Sequence, residues 1–295
     1  MRKARSRLSR LASAIFIRLF HTGLTVGIFC VLVFTDTELH HAIYNKSILY
    51  TGAFVCLVVF TSIFYFIASL MNPGYVTNDE EMNGWSRVDS SDDESADETV
   101  NEEDSGETAK MVKEKKKAEA TRKCSYCRVK QPVRTKHCDD CGRCVRRFDH
   151  HCPWLENCVG ERNHRFFWFF LLFQSTLIIW AIKITWGGFH WHPTIQDWLR
   201  ANALYLICML VLSISAAAVV SLLGCHTFML LTNQTTWEFM SRHRITYLRN
   251  LEESANPFDE GYCRNCLKFF CYCPYRSWDV MLVRYSSSSS SKSAA

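Results

Sequence analysis

The sequence predicts an all-α polytopic membrane protein, with four transmembrane helices and a cytosolic cysteine-rich module between the second and third helix. Three observations predict this fold class. The chain has 295 residues, 48% of them hydrophobic, and the hydrophobic residues gather in four long runs. Few charged residues fall within those runs. Seven of the fifteen cysteines lie between residues 124 and 158, in the polar sequence between the second run and the third.

The four apolar runs predict membrane-spanning helices. A helix needs about 20 mostly apolar residues to cross a bilayer. The last three runs meet this length, and the first does so if its helix extends back past Arg18, whose long side chain can reach the interface. Soluble core helices rarely run so long without a charged face, so we expect membrane spans. The runs cover residues 19–35, 48–71, 166–186 and 203–231.

The positions of lysine and arginine predict the orientation of the chain, because cytosolic flanks carry an excess of both. Six such residues precede the first run, and both the long middle loop and the tail are rich in them. The loop between the first two runs contains only Lys46. The N-terminus, the middle loop and the C-terminus are therefore expected in the cytosol.

The composition changes along the chain divide it into six segments. An acidic stretch at 79–107 and a basic stretch at 110–123 are typical of a flexible linker, and the serines at 286–291 are expected to be disordered. The predicted segments are a basic N-terminus (1–18), helices one and two (19–71), a cytosolic linker (72–121), the cysteine-rich module (122–165), helices three and four (166–231) and a cytosolic tail (232–295).

The cysteine-rich module has the spacing of a zinc-binding domain. A gap of two residues separates Cys124 from Cys127, Cys138 from Cys141, and Cys141 from Cys144. A turn with this gap directs two thiolates at one ion, at about 2.3 Å each. Thiols stay reduced in the cytosol, so metal binding or catalysis is favoured over disulfides.

The number of candidate ligands exceeds what two zinc sites need. Two closed sites use eight protein ligands, which leaves one cysteine and two histidines spare among those between residues 124 and 164. Asp149, His150, His151 and Cys152 are consecutive, and they have the composition of an activated thiolate nucleophile. Spacing alone leaves open which cysteine is spare.

The module and its surroundings resemble the DHHC protein S-acyltransferases. Within the module, the resemblance rests on the cysteine and histidine spacing and on Asp149-His150-His151-Cys152-Pro153-Trp154. Outside it, three segments resemble family motifs: 72–74 after the second run, 235–238 after the fourth, and 256–258 with Gly261 and Asn265 in the tail. The likeness extends from the first helix to about Asn265. Two positions depart from it, since Asn72 replaces an aspartate and Gln131 a common lysine.

The resemblance implies a role for each site residue. Cys152 would be the nucleophile, His150 its base and Asp149 the group that orients His150. The implied ligands of one structural zinc ion are Cys124, Cys127, His137 and Cys144. The implied ligands of the second are Cys138, Cys141, His151 and Cys158. The implied supporting residues are Thr235, Thr236, Glu238 and Asn265.

The activity implied by the resemblance is transfer of palmitate from palmitoyl-CoA to protein cysteines, in two steps through an acyl-enzyme on Cys152. The candidates for contact with the acyl chain or coenzyme A are Trp154, Phe167, Phe170, Lys130 and Arg134. Expected partners are membrane lipid and cytosolic or membrane proteins with accessible cysteines, at the Golgi apparatus and/or the endoplasmic reticulum. Nucleic acid is not expected, because the loop is tethered to a membrane and has no recognition-helix pattern.

Two alternatives stay open from the sequence. The module could be a catalytically silent zinc-binding membrane scaffold. The tail cysteines could form a third metal site, carry acyl groups near the membrane, or be unmodified thiols. These tail cysteines are Cys263, Cys266, Cys271 and Cys273.

Overall fold

The computed structural model describes residues 7–77, 123–249, 251–253, 255–271, 278, 281–282 and 285. Most of the predicted linker, including its acidic stretch, and the serine run of the tail lie outside these residues. The helices are α1 Arg7–Phe34, α2 Glu38–Tyr44, α3 Ile48–Leu70, α4 His164–Gly187, α5 Ile195–Thr232, α6 Thr236–Ser241 and α7 Tyr262–Phe270, with a 3-10 turn at Arg242–Arg244. The strands are β1 Lys136–Cys138, β2 Arg143–Val145, β3 His150–Cys152 and β4 Asn157–Val159.

Four helices in the described part of the chain are long and apolar enough to cross a membrane, which confirms the predicted number of spans. They are α1, α3, α4 and α5. The first begins at Arg7, so the boundary drawn at residue 18 falls inside a helix. Arg18 contacts α3, where its Nε donates to Ser69 Oγ at 2.8 Å. The fourth begins at Ile195 instead of residue 203.

The spans pack around α4, which lies against α3 on one side and α5 on the other. One apolar cluster forms the core of the half of the bundle that lies away from the cysteine-rich module. It includes the fully buried Leu32, Leu39 and Ile184. Leu39 belongs to α2, which the sequence analysis did not predict. This helix begins where the Thr37 side chain accepts a hydrogen bond from the His40 N–H at 3.2 Å. A helix of seven residues is too short to show apolar periodicity.

The cysteine-rich module adds two short antiparallel hairpins to the otherwise helical fold. β1 pairs with β2, placing His137 opposite Cys144. β3 pairs with β4, placing His151 opposite Cys158. Each hairpin therefore brings together two ligand-type residues seven positions apart.

The end of α3 holds the second hairpin by accepting hydrogen bonds at its last carbonyl groups, which have no partner within the helix. Asn157 Nδ2 donates to the Met71 carbonyl at 2.9 Å, and Asn163 Nδ2 donates to that of Ala68 at 3.0 Å. Ser69 Oγ donates in the other direction, to the Leu155 carbonyl at 2.8 Å. These contacts fix β3 and β4 at one end of the membrane spans.

Two further contacts shape the module from outside it. Asn72 closes the turn after α3, where its Oδ1 accepts from the backbone N–H groups of Gly74 and Tyr75 at 2.9 and 2.8 Å. An asparagine performs this turn as an aspartate would. At the start of α1, Arg10 Nη1 donates to the Cys141 carbonyl at 2.8 Å.

Gly160 lies where the module leaves no room for a side chain. A Cβ atom there would lie 2.6 Å from Val145 Cγ1 and 2.7 Å from the Pro73 carbonyl oxygen. We expect Gly160→Ala to destabilise the fold by about 1–3 kcal/mol through overpacking. Thermal unfolding of the purified protein in detergent measures the change. Gly27→Ala is the control, because nothing lies within 4 Å of its Cβ position; equal shifts in the two variants would contradict the prediction.

Candidate active site and metal centres

The first of two cysteine-rich clusters that could hold a metal ion combines a cysteine turn with the first hairpin. The Cys127 N–H donates to Cys124 Sγ at 3.4 Å, as in a knuckle turn. His137 Nδ1 lies 3.2 Å from Cys127 Sγ, 3.7 Å from Cys124 Sγ and 3.9 Å from Cys144 Sγ. The four ligands implied by the resemblance thus converge on one point.

The second cluster repeats this arrangement with the second hairpin. The Cys141 N–H donates to Cys138 Sγ at 3.4 Å. His151 Nδ1 lies 3.4 Å from Cys141 Sγ and 3.7 Å from both Cys138 Sγ and Cys158 Sγ. Here too the four implied ligands come together.

Both clusters fit a tetrahedral ion. Metal–sulfur and metal–nitrogen bonds of about 2.3 and 2.0 Å at a tetrahedral angle place the two ligand atoms roughly 3.5 Å apart, close to the separations observed. Hydrogen bonds with Cys138 and Cys141, together with burial, raise the pKa of the Cys158 thiol far above its usual value. Three thiolates can share such a site only when a cation offsets their charge.

Strand alternation separates Cys152 from the metal ligands. Successive side chains of a strand point to opposite faces, so His151 of β3 points to the second cluster, and His150 and Cys152 point away from it. His150 Nδ1 lies 2.7 Å from Asp149 Oδ2, and Cys152 follows His150 by two residues, on the same face of β3. Of the seven cysteines of the module, only Cys152 lies outside both clusters.

The electrostatics of Asp149 and His150 favour an ion pair. Burial alone would raise the pKa of the Asp149 carboxyl, but the neighbouring His164 and the hydrogen bond with His150 hold it well below its usual range. Burial would likewise favour a neutral imidazole, but hydrogen bonds with Asp149 and Cys152 raise the pKa of His150 to about 10. His150 is therefore protonated at neutral pH.

The segment after the last span braces Asp149. Thr235 and Glu238 form a capping box that begins α6, with the Glu238 N–H donating to Thr235 Oγ1 at 3.2 Å and the Thr235 N–H donating to Glu238 Oε2 at 3.0 Å. This cap leaves the backbone N–H group of Thr236 pointing out of the helix, where it donates to Asp149 Oδ1 at 2.9 Å. The two carboxylate oxygens of Asp149 thus bind α6 and His150.

Arg134 takes part in an internal contact that fixes this segment. It is fully buried, and its guanidinium donates to Glu238 Oε2 at 2.6 Å and to the Asn233 carbonyl at 2.9 Å. The rings of Phe258 and Trp278 lie 4.3 and 4.5 Å from the guanidinium carbon. We therefore assign Arg134 to the joint between module and tail instead of to coenzyme A.

Gln131, which stands where many family members have a lysine, contacts the first cluster. Gln131 Nε2 donates to Cys144 Sγ at 3.2 Å, which supports a cluster ligand. Lys130, the other candidate for coenzyme A, forms a backbone bridge with Lys123 at the edge of the first cluster.

The apolar surroundings of Cys152 come from the spans. Cys152, Phe167 and Phe170 are buried in one cluster with Tyr65 of α3. Trp154 is 64% exposed and does not belong to that cluster. Two of the three aromatic candidates therefore lie beside the thiol, and the third lies at the surface.

Comparison with known proteins agrees with this geometry. A family model described as DHHC palmitoyltransferase matches residues 117–243. Palmitoyltransferase ZDHHC12 of Mus musculus is 39% identical over 271 residues, which make up 92% of this chain and 93% of that protein. The chain belongs to the DHHC palmitoyltransferase family. The ZDHHC12 protein of Homo sapiens is 38% identical over the same shares, and Protein S-acyltransferase 10 of Arabidopsis thaliana is 37% identical over 50% of this chain and 43% of its own.

Family membership confirms the resemblance found in the sequence, and it extends to the subgroup. The segments 127–132 and 158–164 predict a likeness to the twelfth vertebrate member of the family, and the identity to ZDHHC12 proteins agrees with it. The relatives named ZDHHC12 in mouse and human match 92% of this chain.

A histidine that the sequence analysis did not single out extends the polar network of this family member. His226 of α5 is buried, and its Nδ1 lies 3.1 Å from Nε2 of the equally buried His164. His226 also lies within 4.8 Å of ligand-type atoms of Asp149 and His150. The 2.7 Å contact between Asp149 and His150 has the length of a hydrogen bond, so we interpret this group as a hydrogen-bonded network. A lone histidine inside an apolar run gave no local signal.

The tail residue expected to support the site lies under the last span. Asn265 is buried, and its Nδ2 donates to the Leu231 carbonyl and to Asp259 Oδ1, both at 2.7 Å. Asn233, which the sequence analysis missed, adds a second link, because its Nδ2 donates to the Phe258 carbonyl at 2.7 Å. The tail therefore closes against the same end of α5 that carries α6.

We expect loss of the buried ion pair to destabilise the joint between module and tail. Glu238→Ala leaves the Arg134 charge buried without its partner, which costs about 3–5 kcal/mol. Thermal unfolding in detergent measures it. The control is Lys183→Ala, which breaks a pair with Glu38 whose side chains are 65% and 47% exposed; such pairs contribute about 0–1 kcal/mol. Equal shifts in the two variants would refute the prediction.

Proposed function

We propose that this chain transfers a palmitoyl group from palmitoyl-CoA to cysteine thiols of substrate proteins, in two steps through an acyl-enzyme on Cys152. The observation that carries the proposal is the position of Cys152: it lies outside both metal clusters, on the same face of β3 as His150, and is packed among residues of the spans. The family match supports the activity.

The pair of His150 and Asp149 prepares the nucleophile. The form of a cysteine that attacks a thioester is the thiolate, and a neighbouring protonated imidazole stabilises a thiolate. Asp149 fixes the ring through Nδ1, which leaves the other ring nitrogen for the sulfur. The backbone contact from Thr236 keeps Asp149 in place.

Each step exchanges one thioester for another. In the first, the Cys152 thiolate attacks the carbonyl carbon of palmitoyl-CoA, the carbon–sulfur bond to coenzyme A breaks, and His150 donates its proton to the departing thiolate. In the second, neutral His150 takes the proton of a substrate thiol, which attacks the acyl-enzyme and releases the Cys152 thiolate. Charge and proton return to their starting positions, so the enzyme is ready for another cycle.

The acyl chain would lie beside Cys152 among Tyr65, Phe167 and Phe170. Each buried methylene contributes about 0.8 kcal/mol, so a long chain brings considerable binding energy. A thiol at the end of the spans lets one site serve both a lipid tail and a thiol from the aqueous side. Trp154, exposed nearby, suits the interface between lipid and water.

We assign the coenzyme A headgroup to a basic cavity of about 480 Å³ beside the first cluster. Lys123, Lys136 and Arg244 line it and supply cations for phosphate groups. Thr135 Oγ1, buried without a hydrogen-bond partner, is available to donate to one of them. Trp237 lines the cavity and follows the residue that binds Asp149, so cavity and catalytic residues are adjacent.

We further propose that the two clusters hold structural zinc ions. Each offers three thiols and one imidazole, the donor set of closed zinc sites. Zinc bound in such a site shapes the loop and leaves no open position for water. Arg10 and Gln131 support these sites by binding a ligand's carbonyl and a ligand's sulfur.

We also propose an orientation in the membrane and a location in the cell for this protein. The lysine and arginine counts support a cytosolic location for both termini and for the catalytic module. A membrane of the Golgi apparatus and/or the endoplasmic reticulum, with membrane lipid and proteins bearing accessible cysteines as partners, fits this orientation.

An acyl-enzyme assay tests the proposed activity. Purified protein incubated with palmitoyl-CoA should gain a hydroxylamine-labile adduct, detected by mass spectrometry. Cys152→Ser should abolish it, and Asp149→Asn should slow its formation by about a hundredfold or more, the range that positioned proton transfer contributes. Cys225→Ser, at an exposed cysteine of α5, should leave it unchanged.

Two outcomes of that assay would count against the proposal. An adduct that survives Cys152→Ser unchanged would refute the assignment of the nucleophile. The absence of any adduct on the native protein would favour the alternative of a silent zinc-binding scaffold.

Metal analysis tests the second proposal. The purified protein should contain about two zinc ions per chain, because each cluster supplies one complete set of four ligands. Cys141→Ser should lower the content to about one ion and destabilise the module. Cys56→Ser, in α3 and outside both clusters, should change neither quantity. A fully active, metal-free preparation would contradict the proposal.

A further inference from the structure

The short helix α6 has an exposed apolar side. Phe239 and Met240 are 55% and 68% exposed, and neither joins an apolar cluster of the described residues. The two residues before them turn inward, since Trp237 lines the basic cavity and Glu238 is buried against Arg134. Single exposed apolar residues are common on protein surfaces, so the surroundings of this pair decide what it meets.

The position of Phe239 is set by an exposed face of the last span. Its ring contacts that of Phe228 at 6.1 Å between centroids. Phe228 is 48% exposed and lies one turn before α5 ends at Thr232. Leu210 of the same helix is 63% exposed and precedes Phe228 by eighteen residues, which is about five turns, so both lie on one face. A face of this kind on a span meets lipid, and Phe239 continues it beyond the end of the helix.

A reversal of the chain lays α6 against the outside of α5. Asn233 ends α5 in the left-handed conformation, with φ 49° and ψ 40°, which asparagine tolerates better than most residues. Thr235 then begins α6. Phe239 and Met240 therefore lie beside the end of a span, at the boundary between bilayer and water, where aromatic side chains are favoured.

The same helix holds Asp149 at its first turn. The Thr236 N–H group donates to Asp149 Oδ1 at 2.9 Å. Because α6 has six residues, it is about 9 Å long. A helix this short moves as one body, so a contact that fixes Phe239 and Met240 also fixes the donor to Asp149.

We propose that Phe239 and Met240 insert into the bilayer beside α5, and that this contact with lipid holds α6, and through it Asp149, in place. The inference rests on the proposed function. The partner is the bilayer itself, because the apolar pair continues the lipid-facing side of a span. Phe239 and Met240 are positioning residues, and formation of the acyl-enzyme on Cys152 depends on their contact with lipid.

Photo-crosslinking tests the contact. The full-length variant Met240→p-benzoylphenylalanine is reconstituted in phosphatidylcholine vesicles and irradiated, and its peptides are analysed by mass spectrometry. We expect a covalent phospholipid adduct on the peptide that contains position 240. The same photoreactive residue in place of Glu253, an exposed carboxylate of the tail, should give none. Absence of the adduct at position 240, or equal adducts at both positions, would overturn the inference.

Rates of acyl-enzyme formation test the coupling to Asp149. In the same vesicles with saturating palmitoyl-CoA, Phe239→Ser/Met240→Ser should react about tenfold more slowly, because misplaced reacting groups lose rate. Its KM for palmitoyl-CoA should not change. Phe239→Leu/Met240→Leu keeps the apolar contact and should keep the native rate. The control Ile48→Ser/Leu49→Ser alters a pair that is 81% and 87% exposed at the end of α3 away from the module, and it should also keep the native rate.

The outcomes separate this inference from the proposed function. A native rate in the Phe239→Ser/Met240→Ser variant, or equal slowing in the Ile48→Ser/Leu49→Ser variant, would overturn the inference and leave the acyltransferase intact. Absence of the acyl-enzyme from the native protein would overturn both. Thermal unfolding in detergent should be unchanged in all these variants. If the first serine pair unfolds, Met240→Ser alone replaces it, and a native rate in that variant would again overturn the inference.

Discussion

The buried ion pair between Arg134 and Glu238 is the contact on which the site depends. Glu238 also completes the capping box that begins α6, and that box aims the Thr236 N–H group at Asp149. Asp149 in turn orients His150. Removing two charges from water offsets much of their attraction, so the pair serves geometry more than stability. It joins residues 104 positions apart and sets the position of Asp149 from outside the module.

The different directions in which His150, His151 and Cys152 point follow from strand geometry. In β3, the alternation of side chains gives His151 to a metal cluster and leaves His150 and Cys152 on the opposite face. The hairpin is held at the end of α3, so the free thiol stays beside the apolar residues of the spans. A helix would have no such two-sided alternation at adjacent positions.

The sequence predicts whatever depends on local pattern. Apolar runs predict the spans, and the gaps between Cys124 and Cys127 and between Cys138 and Cys141 predict the metal clusters, because each signal lies within one segment. The choice of Cys152 as the free cysteine needed the family resemblance. The roles of His226 and Arg134 could not be predicted, because their partners lie 62 and 104 residues away. Asn233 is an exception, because an asparagine just after the last apolar run is typical of a helix C-cap.

The contact between Arg10 and the Cys141 carbonyl bears on how the protein is made. It links groups 131 residues apart, from the first span to the second metal cluster. Chains emerge from the ribosome N-terminus first, so α1 enters the bilayer while its partner has yet to be synthesised. The contact that joins the first helix to the second cluster can therefore form only after the loop has been synthesised and has folded.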